Sequence, residues 1–332
     1  MKSSCLTALV VAVSLTLAPA GAARRASVGA TPLRVLTEPG AGFGAVYSFI
    51  LSARRSLDMT MYELEDPEAE HDLAMDAERG VDVRVLLDRA YSGKWANRQA
   101  AAELAGAGVH VEWAPPSVIV HQKTVVVDNA AALVMTANLT SRYYAGTADL
   151  LVEDRRAADV TAIVRAFDGD WAGDLAGSPY RVPVRGQVGD LIFSPGSEQG
   201  LLGLIASARS SLETSSEEMA SAAVVSALEA DARRGVDVEV LMTQDPSWTG
   251  ALRRLVSAGA HVRLYPYSEK ALYIHAKLIL VDGRRAYVGS INYSTSSMVY
   301  NRELGVVTAD PAVVGPVTHA FAQWWTAAPL TL

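Results

Sequence analysis

The chain has 332 residues, of which 50% are apolar and 20% charged, and its formal net charge is −7. This composition excludes a disordered protein, a coiled coil and a small disulfide scaffold, and its acidity argues against a protein that holds nucleic acid mainly by attraction to phosphate. The single cysteine, Cys5, excludes an intrachain disulfide and a cysteine-ligated metal site.

Residues 1–22 have the pattern of a secretory signal peptide. Lys2 precedes an apolar run from Cys5 to Ala18, and small-residue cleavage sites follow at 18–20 and 20–22. The run of about 14 residues is shorter than the roughly 20 that a membrane-spanning helix needs. We therefore expect secretion of a soluble mature protein that lacks Lys2, so that its charge changes from −7 to −8.

Helical and strand patterns alternate after the signal peptide. In chain order the sequence predicts a helix over 45–56, a strand over 57–62, a helix over 66–79, a strand over 81–87, a helix over 97–107, strands over 109–113, 118–127, 132–138 and 150–153, and a helix over 157–171. This alternation predicts an α/β fold in which helices cover both faces of a sheet.

The second half of the chain repeats the first. Segments 52–57, 79–86 and 107–111 recur at 207–212, 234–241 and 258–262. A period of this length is far too long for a solenoid and indicates duplication of a whole domain. The glycines and prolines of residues 177–190 predict a linker. We therefore expect two halves, residues 31–176 and 191–332.

Each half contains a histidine, a lysine two positions later and an aspartate five positions beyond the lysine. On a strand, residues i and i+2 face the same side, so each histidine and its lysine should project together. The chain has only five lysines and six histidines, so two such pairs in repeated contexts indicate one shared active site. The residues are His121, Lys123 and Asp128 in the first half and His275, Lys277 and Asp282 in the second.

Three further polar positions follow in both halves. An asparagine, which we place on the next strand, lies ten residues beyond each aspartate; a hydroxyl residue precedes it by two positions, and a carboxylate follows eleven residues later. Every polar position in one half thus has a partner in the other, which extends the predicted site. These residues are Thr136, Asn138 and Asp149 in the first half and Ser290, Asn292 and Glu303 in the second.

The repeated motif resembles the signature of the phospholipase D superfamily, His-x-Lys-x4-Asp-x6-Gly-Ser-x-Asn. Residues 275–292 match it in full, whereas residues 121–138 have Met135 and Thr136 where the family has Gly-Ser. The resemblance, in particular to secreted bacterial phospholipases D, implies two tandem halves, each a mostly mixed β-sheet flanked by helices on both faces, related by a pseudo-twofold axis. It also implies metal-independent cleavage of phosphodiesters at a site that the halves share.

The predicted site has the groups that phosphodiester cleavage requires. One neutral histidine can attack phosphorus to form a phosphohistidine, and the other, protonated, can give its proton to the leaving oxygen and then activate water. The resemblance favours His121 as the nucleophile. Opposed influences of lysines and carboxylates predict that both histidines titrate near about 6.5, with a bell-shaped pH dependence. The groups expected to bind the non-bridging oxygens are Lys123, Lys277, Asn138 and Asn292.

The carboxylates have supporting roles in this interpretation. Asp149 and Glu303 are the candidates to accept a hydrogen bond from the second ring nitrogen of each histidine. Asp128 and Asp282 are interpreted as structural anchors of the motif, which the hydroxyl residues also support. Zinc bound by histidines and carboxylates is the chemical alternative, but two lysines in the same pocket oppose a dication. We therefore expect no metal and no cofactor.

Three functions compete for this site: a secreted phospholipase D that releases phosphatidate and a free head group, with some transfer to alcohols; a nuclease of the same superfamily; and a non-catalytic binding protein. No catalytic position is lost, which disfavours the third. The acidic charge opposes nucleic acid, whereas export and aromatic residues near the motifs favour lipid. We expect a phospholipid substrate at a membrane surface, no stable nucleic-acid partner, and a monomer whose halves act as an internal dimer. The aromatic residues include Trp113, Tyr143, Tyr144, Tyr265, Tyr267, Tyr273 and Tyr293.

Overall fold

Two mixed β-sheets with the same strand order organise the chain. The structure, a computed structural model, describes residues 31–176 and 182–332. The predicted signal peptide lies outside these described residues. Within the described ranges, no helix combines the length and apolar character that crossing a bilayer requires.

The strands of the first half are β1 (Leu33–Glu38), β2 (Ser56–Met61), β3 (Leu64–Glu65), β4 (Asp82–Leu87), β5 (His110–Trp113), β6 (Thr124–Val127), β7 (Ala131–Met135), β8 (Leu139–Thr140) and β9 (Thr147–Asp154). The first sheet has the order β1-β9-β7-β6-β2-β4-β5, and β3 pairs separately with β8. In the sheet, β2, β4 and β5 are parallel to one another, and the other neighbouring pairs are antiparallel.

The strands of the second half are β10 (Gly186–Val188), β11 (Leu191–Ser194), β12 (Ser211–Ser215), β13 (Asp237–Thr243), β14 (His261–Tyr265), β15 (Tyr273–Ile274), β16 (Lys277–Val281), β17 (Arg285–Gly289), β18 (Glu303–Thr308) and β19 (Leu330–Thr331). The second sheet has the order β10-β11-β18-β17-β16-β12-β13-β14-β19. Strand β15 instead pairs with β9 of the first sheet. As in the first sheet, the parallel pairs are β12 with β13 and β13 with β14.

The two strand orders match position by position. When β11 is aligned with β1 and β18 with β9, the path from β11 to β14 repeats the path from β1 to β5, including the positions of the parallel pairs. The structure therefore confirms the prediction of two tandem halves, each with a mixed sheet.

Helices lie on both faces of these sheets. They are α1 (Gly44–Ile50), α2 (Pro67–Glu78), α3 (Gly93–Ala96), α4 (Arg98–Gly106), α5 (Ala157–Trp171), α6 (Glu198–Ile205), α7 (Ala222–Arg233), α8 (Thr249–Ala258) and α9 (Pro311–Ala327). Helix α2 begins where its sequence predicts, because the Asp66 carboxylate accepts a hydrogen bond from the N–H of Glu68 at 3.1 Å and Pro67 occupies the first helical position.

Three large clusters of apolar side chains form the cores, and one of them joins the two halves. One core unites the inner faces of both sheets with α5 and α9, and two further cores lie under α1, α2 and α4 and under α6, α7 and α8. Strands β6, β7, β16 and β18 are buried along their whole length, as expected where both faces are covered. Residues 32–332 accordingly form one compact unit.

Several predicted boundaries are wrong. The helix predicted over 45–56 ends at Ile50, and Ser56 already belongs to β2. Strand β1 is absent from the predicted elements, and β10 lies within the residues predicted as a linker. The predicted asparagine strands are also wrong, because Asn138 follows β7 and Asn292 follows β17.

The predicted strand over 118–127 is present only from Thr124 onward. His121 and Lys123 therefore do not lie on a strand of the first sheet, and His275 likewise precedes β16. The physical reason is that this part of the backbone pairs with the other half of the molecule instead, as the bridge between Val120 and Arg302 shows.

Candidate active site

The two histidine segments are fixed on each other's half by main-chain hydrogen bonds. The N–H groups of His121 and Gln122 both donate to the carbonyl oxygen of Arg302, at 2.9 and 3.0 Å. In the same way, the N–H groups of His275 and Ala276 donate to the carbonyl oxygen of Ala148, at 3.2 and 2.8 Å. Each acceptor residue directly precedes a site carboxylate, so each histidine is placed beside the carboxylate of the opposite half.

Both imidazoles contact that carboxylate. Nδ1 of His121 lies 2.9 Å from Oε2 of Glu303, and Nδ1 of His275 lies 2.7 Å from Oδ1 of Asp149. Glu303 and Asp149 are buried, and each contact crosses from one half to the other. The hydrogen bonds expected of these carboxylates are thus present. With Nδ1 engaged, Nε2 of each ring is the nitrogen left to react.

The carboxylates are supported differently in the two halves. Asp149 accepts from Oγ1 of Thr136 at 2.5 Å, whereas Glu303 accepts from Oγ of Ser297 and from Nδ2 of Asn301 at 3.1 Å. Ser290 hydrogen-bonds the main chain of Leu304, not the carboxylate. The signature therefore identifies the hydroxyl partner of Asp149 but misses that of Glu303, which lies on a π-helical turn over Ser296–Tyr300.

Both carboxyl groups are held in their charged form. Burial raises the pKa of Asp149, but the charges of His275 and Lys277 outweigh it and hold that pKa below its ordinary value. Burial acts on Glu303 in the same way, and His121 and Lys123 lower its pKa. Ionised carboxylates at Nδ1 fix the tautomer and orientation of each imidazole.

The two motif lysines are buried beside the histidines. Nζ of Lys123 donates to the carbonyl oxygen of His121, and Nζ of Lys277 to that of His275, both at 2.6 Å. Burial and the charge of Lys277 lower the pKa of Lys123 to about 7. Burial and the charge of Lys123 also lower the pKa of His121, so the expectation that both histidines titrate near their unperturbed value is wrong for His121.

Asparagine side chains complete the donor set. Nδ2 of Asn138 lies 3.3 Å from Oε2 of Glu63, and Nδ2 of Asn292 lies 3.3 Å from Oε2 of Glu217. Both asparagines line the same cavity as the two histidines. The structure thus brings together all eight residues predicted to act in the site, either along the cavity or directly beneath it.

The motif aspartates lie elsewhere and anchor turns. Oδ1 of Asp128 accepts from the N–H of Arg55 at 2.7 Å, and Oδ1 of Asp282 accepts from the N–H of Ser210 at 2.7 Å. Both aspartates have a φ of 52°, in the left-handed region that tight turns use. Neither lines the cavity, which supports their interpretation as structural anchors.

The cavity has a volume of about 940 Å³ and walls rich in acids and rings. Arg142 is the only arginine or lysine among the described residues that line it. The acidic residues besides Asp149 and the aromatic residues are Glu63, Glu217, Glu218, Asp245 and Glu269, and Tyr62, Tyr143, Tyr144, Trp248, Tyr267 and Tyr273.

The predicted aromatic residues divide between this cavity and the core. Tyr143, Tyr144, Tyr267 and Tyr273 line the cavity, whereas Tyr265 and Tyr293 are buried in the hydrophobic cores. Tyr62 and Glu217 are absent from the predicted site, although the repeat contains the signal: both lie six residues after matched serines at 56 and 211. Among the described residues, no cluster of three or more histidine or acidic side chains is arranged to hold a metal ion.

Comparison with known proteins gives the family. The family described as "Cardiolipin synthase, PLD-like domain" matches residues 46–171 and again 201–325. Cardiolipin synthase A of Citrobacter koseri is 25% identical over 87% of this chain and 68% of its own length. Mitochondrial cardiolipin hydrolase of Danio rerio is 35% identical over a stretch that covers 38% of this chain and 56% of that protein.

A solved structure shows the same fold. The phosphatidylserine synthase of Haemophilus influenzae superposes with a TM-score of 0.69 over 91% of this chain and 87% of its own, at 15% identity. The two family matches cover more than half of the chain and coincide with the two halves that supply the paired histidines. The chain therefore belongs to the PLD-like domain family and is a phosphodiesterase of the phospholipase D superfamily.

Proposed function

We propose that the protein is a secreted phospholipase D that hydrolyses phospholipid to phosphatidate and a free head group, with transfer to alcohols where these replace water. The observation that supports this most is the crossed pairing of His121 with Glu303 and of His275 with Asp149 beside two buried lysines. This arrangement provides two oriented imidazoles and fixed cations for one phosphate group.

The reaction follows from the atoms in place. Nε2 of His121 attacks phosphorus, the bond from phosphorus to the leaving oxygen breaks, and that oxygen takes a proton from Nε2 of His275. Neutral His275 then takes a proton from water or an alcohol, whose oxygen attacks phosphorus and breaks the bond to His121. Lys123, Lys277 and the asparagines stabilise the charge on the non-bridging oxygens in both steps.

The surroundings of the histidines favour His121 as the nucleophile. His275 has carboxylates near both ring nitrogens, Asp149 at 2.7 Å from Nδ1 and Glu217 at 3.4 Å from Nε2. The His275 ring can therefore present one N–H to each carboxylate, which is the hydrogen-bonding arrangement of a proton donor. Within the described part of the chain, His121 has one carboxylate contact, Glu303, and burial and Lys123 lower its pKa, which favours the neutral form that attacks.

The walls of the cavity favour a lipid over a nucleic acid. Carboxylates such as Glu63, Glu218 and Asp245 repel a chain that carries one negative charge at every nucleotide, whereas a phospholipid has to place a single phosphodiester at the histidines. Tyr143 and Tyr267, which are 49% and 79% exposed at the cavity, suit contact with a membrane interface. The names of the relatives, cardiolipin synthase and cardiolipin hydrolase, also support a lipid substrate.

The purified protein incubated with phosphatidylcholine vesicles and, separately, with plasmid DNA, both in a strong chelator, tests this function. We expect release of the head group and no nicking of plasmid, because lysine and imidazolium supply the cations that the phosphate needs. His121→Ala should be inactive, and His71→Ala, an exposed histidine on α2, should be active. Plasmid cleavage without lipid hydrolysis, or activity that requires a divalent ion, would contradict the proposal.

Secretion is part of the same proposal, and the support for it is the signal-peptide pattern of residues 1–22. Expression of the full chain in a bacterial host, with separation of cells from medium, tests it. We expect protein in the medium that begins shortly after residue 20 or 22, as determined by N-terminal sequencing. Protein that stays in the cell with Met1 retained would contradict secretion.

A further inference from the structure

Tyr62 and Glu217 occupy the same position in the two halves but give it different chemistry. Each lies six residues after the first residue of a matched strand, β2 or β12. The Tyr62 ring lies 5.1 Å from Nζ of Lys123 and 4.7 Å from the His121 ring. Glu217 instead places Oε2 2.5 Å from Nζ of Lys277.

Glu217 binds the groups that a substrate phosphate would use in the second half. Besides Lys277, its Oε2 lies 3.3 Å from Nδ2 of Asn292 and 3.4 Å from Nε2 of His275. Its Oε1 accepts from the Tyr273 hydroxyl at 2.9 Å, which holds the carboxylate in this orientation. A carboxylate presents two anionic oxygens to these donors, as a phosphate does.

The carboxylate is charged when it occupies this place. Burial raises the pKa of Glu217, but His275 and Lys277 outweigh it and hold the pKa well below its usual range. Among the described residues, no carboxylate oxygen contacts Nζ of Lys123, because Tyr62 meets that lysine through the face of its ring. Lys123 is therefore available to an anion, although Asn138 of the same half contacts Glu63. In the second half, Lys277, Asn292 and His275 all contact the Glu217 carboxylate.

We propose that Glu217 is an internal competitor of the substrate phosphate and a determinant of which phosphates bind. A phosphate that enters must displace the carboxylate or bind beside it, and the repulsion grows with the charge of the phosphate. A monoanionic diester is therefore penalised less than a dianionic monoester or free dianion. This inference rests on the proposed phosphodiesterase site but on no choice between lipid and nucleic acid.

Calorimetric titration of the full chain with sulfate and with dimethyl phosphate at pH 6.5 tests this proposal without requiring turnover. Sulfate is the dianion and dimethyl phosphate the monoanionic diester. In Glu217→Gln we expect sulfate to bind at least about tenfold more tightly, since an opposed unit charge a few ångströms away is removed, and the diester to gain less. Glu269→Gln, on the same cavity wall, serves as the matched control and should change neither affinity.

The reciprocal substitution Tyr62→Glu should weaken sulfate binding, because it adds the competitor to the first half. Thermal unfolding of each variant shows that it is folded. Unchanged or weaker sulfate binding in a folded Glu217→Gln protein, or an equal gain in Glu269→Gln, would overturn the proposal. If these binding changes are observed but the unsubstituted protein does not hydrolyse lipid, only the proposed function is contradicted.

A separate observation concerns the loop and short helix over residues 89–98, which we call the basic aromatic loop. Arg89, Lys94 and Arg98 are exposed, and none of them forms an ion pair with any described residue. Tyr91 and Trp95 are 67% and 63% exposed. Nζ of Lys94 and Cζ of Arg98 lie 5.0 and 4.3 Å from the Trp95 ring. Residues 89–102 contain no aspartate or glutamate, although the chain as a whole is acidic.

This loop is fixed to the backbone that carries the first-half histidine. Asp88, at its base, accepts from the N–H of Val120 at 2.8 Å and from the N–H of Tyr91 at 3.2 Å. Gly93 packs so closely that a Cβ there would lie 2.5 Å from the carbonyl oxygen of Tyr62. The exposed rings and cations are therefore held, through these two contacts, close to Tyr62 and to the backbone next to His121.

We infer that the basic aromatic loop docks on an anionic lipid surface. Its rings suit the interfacial region of a bilayer, and its unpaired cations suit lipid phosphates and acidic head groups. Without such a patch an acidic protein is repelled from a negatively charged membrane. Docking here would bring phospholipid head groups to the site, so this inference rests on the proposed lipid substrate.

Sedimentation with phosphatidylcholine vesicles, with and without phosphatidylserine, tests the docking surface. Lys94→Glu and Trp95→Ala should weaken binding to the anionic vesicles several-fold, while hydrolysis of a soluble short-chain phospholipid stays unchanged. Arg253→Glu, an exposed cation on α8, is the matched control and should bind as the unsubstituted protein does. Equal vesicle binding by all variants, or loop-dependent binding of plasmid in place of vesicles, would overturn the inference. Loop-dependent vesicle binding without hydrolysis would contradict the proposed function alone.

Discussion

The two halves of the active site have the same backbone arrangement but differ in the side chains that surround each imidazole. His121 and His275 are both held by a carboxylate from the opposite half, on sheets with the same strand order. Beside them, the first half places the Tyr62 ring against Lys123, whereas the second places the Glu217 carboxylate against Lys277. Duplication therefore supplied two similar histidines, and divergence, most directly at Tyr62 and Glu217, made their electrostatic surroundings unequal.

This inequality matches what the chemistry requires. A reaction that passes through a phosphohistidine needs one neutral and one protonated imidazole at the same time. Two identical half-sites would give both rings the same partners, whereas His275 has a carboxylate near each of its ring nitrogens and His121, among the described residues, has Glu303 at Nδ1. The following predictions test whether the halves differ as this comparison requires.

The largest effect is expected from removing either imidazole. His121→Ala and His275→Ala should each lower the rate on phospholipid by more than about a thousandfold, because neither half-reaction proceeds without its partner. Rates of head-group release measure this, with His71→Ala as the control. A single variant that retained a substantial rate would show that one half suffices and would break the comparison.

The next effect concerns the backbone that positions the histidines. The carbonyl groups of Arg302 and Ala148 accept the hydrogen bonds that hold the two histidine segments. Of these two residues, Arg302 is also fixed by its own buried side chain, whose Nε lies 2.6 Å from Oδ2 of Asp170. Arg302→Ala should lower the free energy of unfolding by about 3–5 kcal/mol, since it leaves Asp170 as an unpaired buried charge. Denaturant unfolding checks this.

Arg155→Ala serves as the control for that measurement, because Arg155 is 52% exposed and pairs with Glu153, which is 19% exposed, at the end of β9. Exposed pairs contribute about 0–1 kcal/mol, so its effect should be small. Equal losses in Arg302→Ala and Arg155→Ala would show that the buried pair does not anchor this half of the site.

The carboxylates offer a test that separates the roles of the two histidines. Glu303→Gln and Asp149→Asn should each lower phospholipid hydrolysis by roughly 10²-fold to 10⁴-fold through loss of orientation and tautomer. With a nitrophenyl phosphodiester, whose leaving group needs no proton, Asp149→Asn should recover much of its rate in the first half-reaction. Glu303→Gln should not recover, because the nucleophile is still misoriented. Equal recovery of both variants would contradict the assignment.

A smaller effect concerns pH. The pKa of Lys123 is lowered to about 7, so this lysine loses its charge as pH rises through that value, and kcat/KM should fall on the basic side. Lys123→Arg keeps the charge and should move the basic limb to higher pH. In Lys277→Arg the cation faces Glu217, and the limb should stay where it is. If the basic limb does not move in Lys123→Arg, the titration behind that limb belongs to another group.

The sequence predicted the paired residues because both halves retain the same residue types at fixed spacing. His121 and Lys123 recur as His275 and Lys277, and the strand order repeats with them. The predicted strand through His121 failed because local periodicity cannot show that this backbone pairs with Arg302, almost two hundred residues away in the chain.

The residues that distinguish the halves were harder to predict because they are not repeated. A search for repeated residues finds what duplication preserved, and Tyr62 and Glu217 are a position where it diverged. Ser297, which hydrogen-bonds Glu303, lies on a π-helical turn outside the motif. The residue that plays this role for Asp149 is Thr136, which lies within the motif. Such partners follow from tertiary packing and have no fixed spacing along the chain.

Identification of the phosphorylated histidine tests the central claim most directly. His275→Ala and His121→Ala, each incubated with a nitrophenyl phosphodiester and digested for mass spectrometry under conditions that preserve phosphohistidine, report which ring attacks. The inequality of the halves predicts a phosphoryl adduct on His121 in the His275→Ala protein, since that variant lacks the base that activates water, and none in the His121→Ala protein. An adduct on His275 in the His121→Ala protein would contradict the account.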